Sequence, residues 1–205
     1  MAEKLKLTRP ELKRQRDALK RFQRYLPMLK LKQQQLQLTI RQLEKERISA
    51  IEDEKKAREK FEAYQVILDD VAGIDVPALA RFTEIRTSEM NIAGVAIPVF
   101  DSVIFPEADY SLFSTPAWVD AALLDLREVN NCKAKLEILQ RQYELLQAEL
   151  TKIIQRVNLF EKVKIPEARD NIRRIRIRLG DRMASAVGRA KIAKNKLPSM
   201  SLQPG

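Results

Sequence analysis

A three-then-four spacing of apolar residues, held in a single frame over residues 12–71, constrains this chain more than any other feature. The frame meets Leu12, Leu19, Phe22, Leu26, Leu29, Leu36, Ile40, Leu43, Ala50, Ala57, Phe61, Tyr64, Leu68 and Val71. Only Gln15, Gln33, Arg47 and Glu54 interrupt it, and the positions between are mostly Lys, Arg, Glu and Gln. A sustained 3.5-residue period is that of a helix wound left-handedly around a partner, apolar along one narrow seam and wet on both flanks. The sequence must therefore supply that partner, or another chain must.

The ends of this first helix are legible. Thr8, Pro10 and Glu11 match a capping box, with Thr8 as N-cap and Pro10 in the first turn, where a missing N–H costs nothing. Pro27 lies inside the pattern, where proline removes a hydrogen bond at about 3 kcal/mol, but the seam keeps its phase through it and predicts a kink, not a stop. Ala72-Gly73 reads as the C-cap. A helix over 10–72 would be on the order of 90 Å long, beyond what a globule of this size can enclose.

Residues 74–115 change character. Residues 77–81 suggest a short helical turn, and 84–92 and 95–105 are strand-like, with Ala93-Gly94 between them and Gly94 able to supply the positive φ of a tight hairpin. Pro98 predicts a free strand edge, and two strands alone are marginal, so the hairpin must lean on the helices or on another protein. Thr115-Pro116 then opens a second helix. Its frame runs through Val119, Ala122, Leu126, Val129, Leu136, Tyr143, Leu150, Ile154 and Val157. A neighbouring stripe of Cys132, Leu139, Leu146, Ile153 and Phe160 widens it. Pro166 is expected to kink this helix before the pattern resumes at Ala168, Ile172, Ile175, Leu179 and Met183.

The predicted fold is mainly α: a long antiparallel two-helix coiled coil with a small cap of β-hairpin and short helix between the helices. The expected divisions are 1–73 for the first helix, 74–115 for the cap, 116–196 for the second helix and 197–205 for a disordered tail. Pairing within one chain is favoured over a parallel homodimer because two helices of comparable length are joined by a compact insert of about forty residues, and it accounts for two basic ends that then share one tip. Residues 1–32 hold eleven Lys/Arg against three Asp/Glu and residues 162–196 twelve against three, while the rest of the chain holds fifteen against twenty-two.

Composition narrows the chemistry. The 205 residues include no histidine and one cysteine, Cys132, which excludes histidine acid/base catalysis, His/Cys zinc sites and an intrachain disulfide. The five glycines fit no phosphate loop, so no catalytic residue, metal or cofactor is expected. No apolar run reaches the ~18 residues of a membrane span, and the N-terminus lacks a signal-peptide core, which predicts a soluble protein. The basic ends are the strongest functional signal. They suit an acidic protein socket, an anionic polymer or a membrane surface, and a basic coiled-coil nucleic-acid binder or scaffold is the alternative.

Three segments carry a family resemblance. The stretch 29–32, Leu-Lys-Leu-Lys, resembles a Leu-Leu-Lys-x-Lys run; 91–98, Asn-Ile-Ala-Gly-Val-Ala-Ile-Pro, resembles an Asn-Ile-x-Gly-Val-x-Val-Pro hairpin. Arg156, Asn158, Glu161, Ile165-Pro166, Ile172, Ile175, Leu179 and Asp181-Arg182 are similar in order and spacing to a third family series. Together they resemble the D subunits of V-type rotary ATPases, the central-stalk rotor subunits of the archaeal and vacuolar-like complexes. Departures at Gln33-Gln34, Leu159-Phe160, Gly180 and Asp181 suggest a divergent bacterial branch.

The resemblance implies a non-catalytic, cytoplasmic subunit peripheral to the membrane, without nucleic-acid binding or membrane insertion. Its basic end would enter a hexamer of A and B subunits through Lys4, Lys6, Arg9, Lys13, Arg173, Arg174, Arg176, Arg178, Arg182 and Arg189. Its cap would meet the F subunit and the C (d-type) stalk base, with Asn91, Ile92, Gly94, Ile97 and Pro98 as the hairpin contacts.

Overall fold

The computed structural model describes residues 5–65, 75–110, 115–116 and 118–200, and the side chains of all of these except 63–65 and 197–200. The chain is mainly helical: α1 (Arg9–Gln65), α2 (Val76–Ala80), β1 (Glu84–Ile92), β2 (Val95–Ile104), α3 (Trp118–Asn158), a π-helical segment (Leu159–Lys164) and α4 (Ile165–Met200). It divides into two compact units, Lys32–Ile153 and Met1–Leu31 with Ile154–Gly205.

In the unit Lys32–Ile153, α1 and α3 run antiparallel. Lys32 Nζ lies 3.6 Å from Glu149, Arg47 donates to Gln140 Oε1 at 2.7 Å, and Lys60 lies 3.5 Å from Glu128, so numbers rise on one helix as they fall on the other. Leu36, Ile40, Leu43, Ala50 and Ala57 are buried on α1, facing a stripe on α3 that includes Val129, Ala134, Ile138, Leu139, Leu146 and Leu150. Burying one such leucine is worth about 1.5–3 kcal/mol, which makes this seam the main source of the unit's stability. Half-burial at Leu136 and Tyr143, both on the predicted frame, moves the deepest line to the neighbouring stripe through Leu139 and Leu146. The physical reason is that α3 serves two neighbours, α1 and the hairpin.

The cap follows from local chemistry. Asp75 caps α2 by accepting from the Ala78 N–H at 3.0 Å, and Pro77 sits in the first turn. A small core of Val76, Ala80, Val119 and Leu123 forms where α2 meets α3, with Leu79, Tyr110, Trp118 and Leu126 packed on it. β1 and β2 pair antiparallel, joined by Ala93 and Gly94, both at positive φ (52° and 80°), as a two-residue primed turn requires. A register shift between Arg86 and Thr87 leaves Asp101 as the extra residue opposite them, a β-bulge.

In the other unit α1 and α4 also run antiparallel. Lys30 Nζ meets Glu161 Oε1 at 2.8 Å, the Phe22 and Phe160 rings are 5.1 Å apart, Leu19 shares a groove with Ile172, and Leu12 shares one with Leu179. Ile165, Ala168, Ile172 and Ile175 are buried here, whereas Leu12, Leu19, Phe22, Leu26 and Leu29 are half-buried.

The first helix does not stop at Pro27, as its unbroken seam predicts, because losing one hydrogen bond does not outweigh that seam. Other boundaries differ from the sequence reading. α3 begins at Trp118, two residues later than expected, with Pro116 contributing its carbonyl to the Val119 N–H at 3.1 Å. α4 continues to Met200, four residues into the unstructured tail predicted for 197–205, and residues 201–205 lie outside the described residues. Near Pro166 the helix changes type: π-helical bonding fills Leu159–Lys164, and Pro166 falls in the first turn of α4. Lys4, the side chain of Tyr64, and Leu68, Val71 and Ala72-Gly73 lie outside the described residues.

Candidate partner-binding surfaces

The first surface lies in the unit that contains α4. The N-cap of α1 is Thr8, whose carbonyl accepts from the Leu12 N–H at 3.0 Å, while the Glu11 carboxylate turns forward to Gln15 and Arg14. Lys6, Arg9 and Lys13 are exposed on this end, as are Arg173, Arg174, Arg176, Arg178, Arg182 and Arg189 on α4. Asp170 takes up two of these cations, meeting Arg173 and Arg174 at 2.7 Å each. Lys13, Arg176, Arg178, Arg182 and Arg189 have no ion-pair partner among the described residues. Exposed pairs are worth roughly 0–1 kcal/mol, so the unit gains little by holding these charges together; their effect is an outward field.

Apolar surface runs between the charges. Arg16 and Lys20 of α1 and Arg173 and Arg176 of α4 wall a groove whose floor includes Leu19, Ile172 and Ile177. Residues 180–196 are all exposed, including Met183, Val187 and Ile192. Basic walls around an apolar floor match a partner segment that is acidic with an apolar centre.

The second surface is the hairpin of the unit Lys32–Ile153. Asn91 Oδ1 accepts from the Gly94 N–H at 2.9 Å and closes the turn. A Cβ at Gly94 would lie 3.6 Å from Lys32 Nζ, so the tip comes close to α1, and its φ of 80° favours glycine there. Ile97 is buried, Ile92 and Pro98 are half-buried, and Asn91 is exposed. The Pro98 carbonyl accepts from Gln142, the one buried polar residue among those described, so β2 leans on α3. β1 is exposed over most of its length, while Met90, opposite buried Ile97, turns toward the helices and lines a groove with Leu43, Leu139 and Leu146.

Sequence reasoning missed the residues that anchor this cap. Arg127 donates to the Leu79 carbonyl at 3.2 Å and the Pro106 carbonyl at 2.7 Å, its guanidinium 5.2 Å from the Phe105 ring centre, and Asn130 donates to the Ala80 carbonyl at 2.7 Å. Two polar residues within one and a half turns of a predicted seam are a weak signal, because the same spacing describes any solvated flank. Cys132 is half-buried, and burial pushes its thiol pKa up, with Glu128 adding to the rise, which keeps it in the unreactive protonated form. Among the described residues no cluster of three acidic or cysteine side chains gathers as a metal site.

Antiparallel helices in each unit, a β-hairpin insert, an exposed basic surface and an exposed strand define a long-helix scaffold without a catalytic constellation among the described residues. The sequence profile of the ATP synthase D subunit matches residues 11–195. The chain is 40% identical over 194 residues to the V-type ATP synthase D subunit of Borreliella burgdorferi, covering 95% of each chain. It is 33% identical over 198 residues to the V-type ATP synthase D subunits of Chlamydia felis and Chlamydia pneumoniae, covering 96% of this chain and 95% of each relative. The chain belongs to the family of ATP synthase D subunits.

Proposed function

We propose that this chain is the non-catalytic central-stalk rotor subunit of a V-type ATPase or ATP synthase. In this role it couples ATP hydrolysis or synthesis in a hexamer of A and B subunits to proton or sodium transport. The observation that carries the proposal is the exposed array of Arg176, Arg178 and Arg182 on α4, without ion-pair partners among the described residues, in a chain that matches the family profile over residues 11–195. An asymmetric pair of helices inside a three-fold hexamer cannot touch three equivalent interfaces equally. Its orientation favours one conformation at each interface, and a partner shifts an equilibrium only through such unequal contact.

In this reading Lys4, Lys6, Arg9 and Lys13 join the α4 arginines inside the hexamer. The hairpin and cap meet the F subunit and the C (d-type) stalk base. The protein acts in the cytoplasm at the membrane periphery, and no helix among the described residues is long and apolar enough to cross a bilayer.

Reconstitution with an A/B hexamer tests the proposal. Arg176→Glu, Arg178→Glu and Arg182→Glu combined should weaken insertion at least about tenfold and release hydrolysis from ion transport, since each reversed charge turns attraction into repulsion. Unchanged coupled activity would overturn it. Failure to bind the hexamer, together with DNA binding that falls steeply with salt, would favour the nucleic-acid reading instead. Removal of residues 91–98 should impair assembly or turnover; no effect on either would clear the hairpin of a contact role.

A further inference from the structure

The π-helical segment coincides with a break in the apolar spacing. Val157 and Ile165 are both buried, and eight residues separate them where a heptad repeat requires seven. After Ile165 the buried positions return to the ordinary interval at Ala168, Ile172 and Ile175. A π turn closes hydrogen bonds from i to i+5 in place of i+4, so it holds one residue more than an α turn. The Ile165 N–H donates to the Phe160 carbonyl in that manner.

Without the π turn the arrangement would fail. A three-four repeat continued in plain α-helix from Val157 and Phe160 would bring Lys164, Glu167, Asn171, Arg174 and Arg178 to the seam. The π turn brings Ile165, Ala168, Ile172 and Ile175 there instead and leaves Arg173, Arg174, Arg176 and Arg178 exposed. The segment is also lightly held. No residue of Leu159–Lys164 is buried, Leu159 and Val163 are outward, and the Phe22–Phe160 and Lys30–Glu161 contacts are its links to α1. Pro166, two residues beyond, has no N–H to donate, so the α-helical ladder has a gap there in any case.

We propose that Leu159–Lys164 is a phase-setting insertion: one residue beyond the heptad, held in a π turn, which fixes the angle at which α4 presents its arginines and is the point where α4 opens most readily. The value of that angle for a partner rests on the stalk reading above; the phase itself does not.

Two single-residue deletions in the full chain test it, because Val163 and Arg169 are both exposed but stand on opposite sides of the junction. Deleting Val163 should leave the apolar frame in register as continuous α-helix. The melting temperature should stay level or rise, and amide exchange over 159–165 should slow about tenfold. Deleting Arg169 should force either Ile165 and Ala168 or Ile172, Ile175 and Leu179 off the seam, whichever side keeps register with Val157, and lower the melting temperature by several degrees. If both deletions are equally harmful, including failure to fold, or equally harmless, the π turn does not set the phase. Unslowed exchange after loss of Val163 would also overturn the proposal. Neither measurement involves the hexamer, so a wrong stalk reading would show separately, as a chain with the expected phase that the hexamer does not bind.

Discussion

Along α1 one frame of apolar residues is buried to two different depths. In the unit Lys32–Ile153, Leu36, Ile40 and Leu43 are at most 6% exposed, whereas Leu12, Leu19, Phe22, Leu26 and Leu29 in the other unit are only half-buried. The residue types are the same, so hydropathy is not the cause. The deeper seam has a third layer, because the hairpin packs on α3 through Ile97 and the Gln142 bond to the Pro98 carbonyl. Two helices alone cover each other along one line and leave its margins wet. The difference separates a unit whose seam is closed on itself from one that leaves apolar margins and exposed arginines at its surface.

Core truncation should reveal this contrast most strongly. Leu146, 0% exposed, becomes a cavity on substitution, and Leu146→Ala should cost about 2–5 kcal/mol in chemical denaturation. Leu19→Ala in the half-covered seam should cost about half of that, since solvent already reaches the site. Equal losses would erase the distinction between the units.

Next in size is the polar seam residue of the deeper unit. Arg47 donates to Gln140 and lies 5.3 Å from the Tyr143 ring centre, but its Nε is buried without a hydrogen-bond partner. Arg47→Leu should therefore stabilise by about 1 kcal/mol, because it removes an unsatisfied donor and leaves only the exposed Gln140 behind. A loss of stability would mean that the cation over Tyr143 matters more than the orphaned N–H.

Smaller effects belong to the cap. Ala93 holds a φ of 52° in the hairpin turn, so Ala93→Gly should recover up to about 1 kcal/mol of strain, measurable as a rise in melting temperature. Finally, the Tyr110 hydroxyl donates to Asp120 at 2.6 Å, and that hydrogen bond, aided by burial, raises the phenol pKa above its ordinary 10.0. The stabilisation is complete below pH 10 and is lost as pH rises through the elevated value. A denaturation series across alkaline pH should show this slope, and Tyr110→Phe should remove it.

The elements legible in the sequence were those with period or punctuation. The α1 frame locates its least exposed face, since every seam position from Leu12 to Phe61 is buried or half-buried, including Gln15, Gln33, Arg47 and Glu54. Gly94 marks the hairpin, whose strands begin at the positions its composition indicates. The π turn was less legible because Pro166 offers a simpler explanation, a kink, and only the eight-residue step from Val157 to Ile165 points to an inserted residue. Arg127 and Asn130 escaped notice because their partners are carbonyl oxygens, which no side-chain pattern records. For the basic end, charge was readable from the chain, but which arginines Asp170 neutralises depends on the helical spacing of three side chains in space.

The anchoring of the cap has a consequence for how such a protein changes over generations. Arg127, Asn130 and Gln142 hold the carbonyls of Leu79, Ala80, Pro106 and Pro98, and every amino acid carries a carbonyl. Replacing a side chain on exposed β1 therefore leaves the anchors intact. Exposed positions such as Arg86, Thr87 and Glu89 are free to acquire new chemistry while the mounting stays the same, so, if the hairpin docks as proposed, a lineage could change what it docks to without rebuilding the cap.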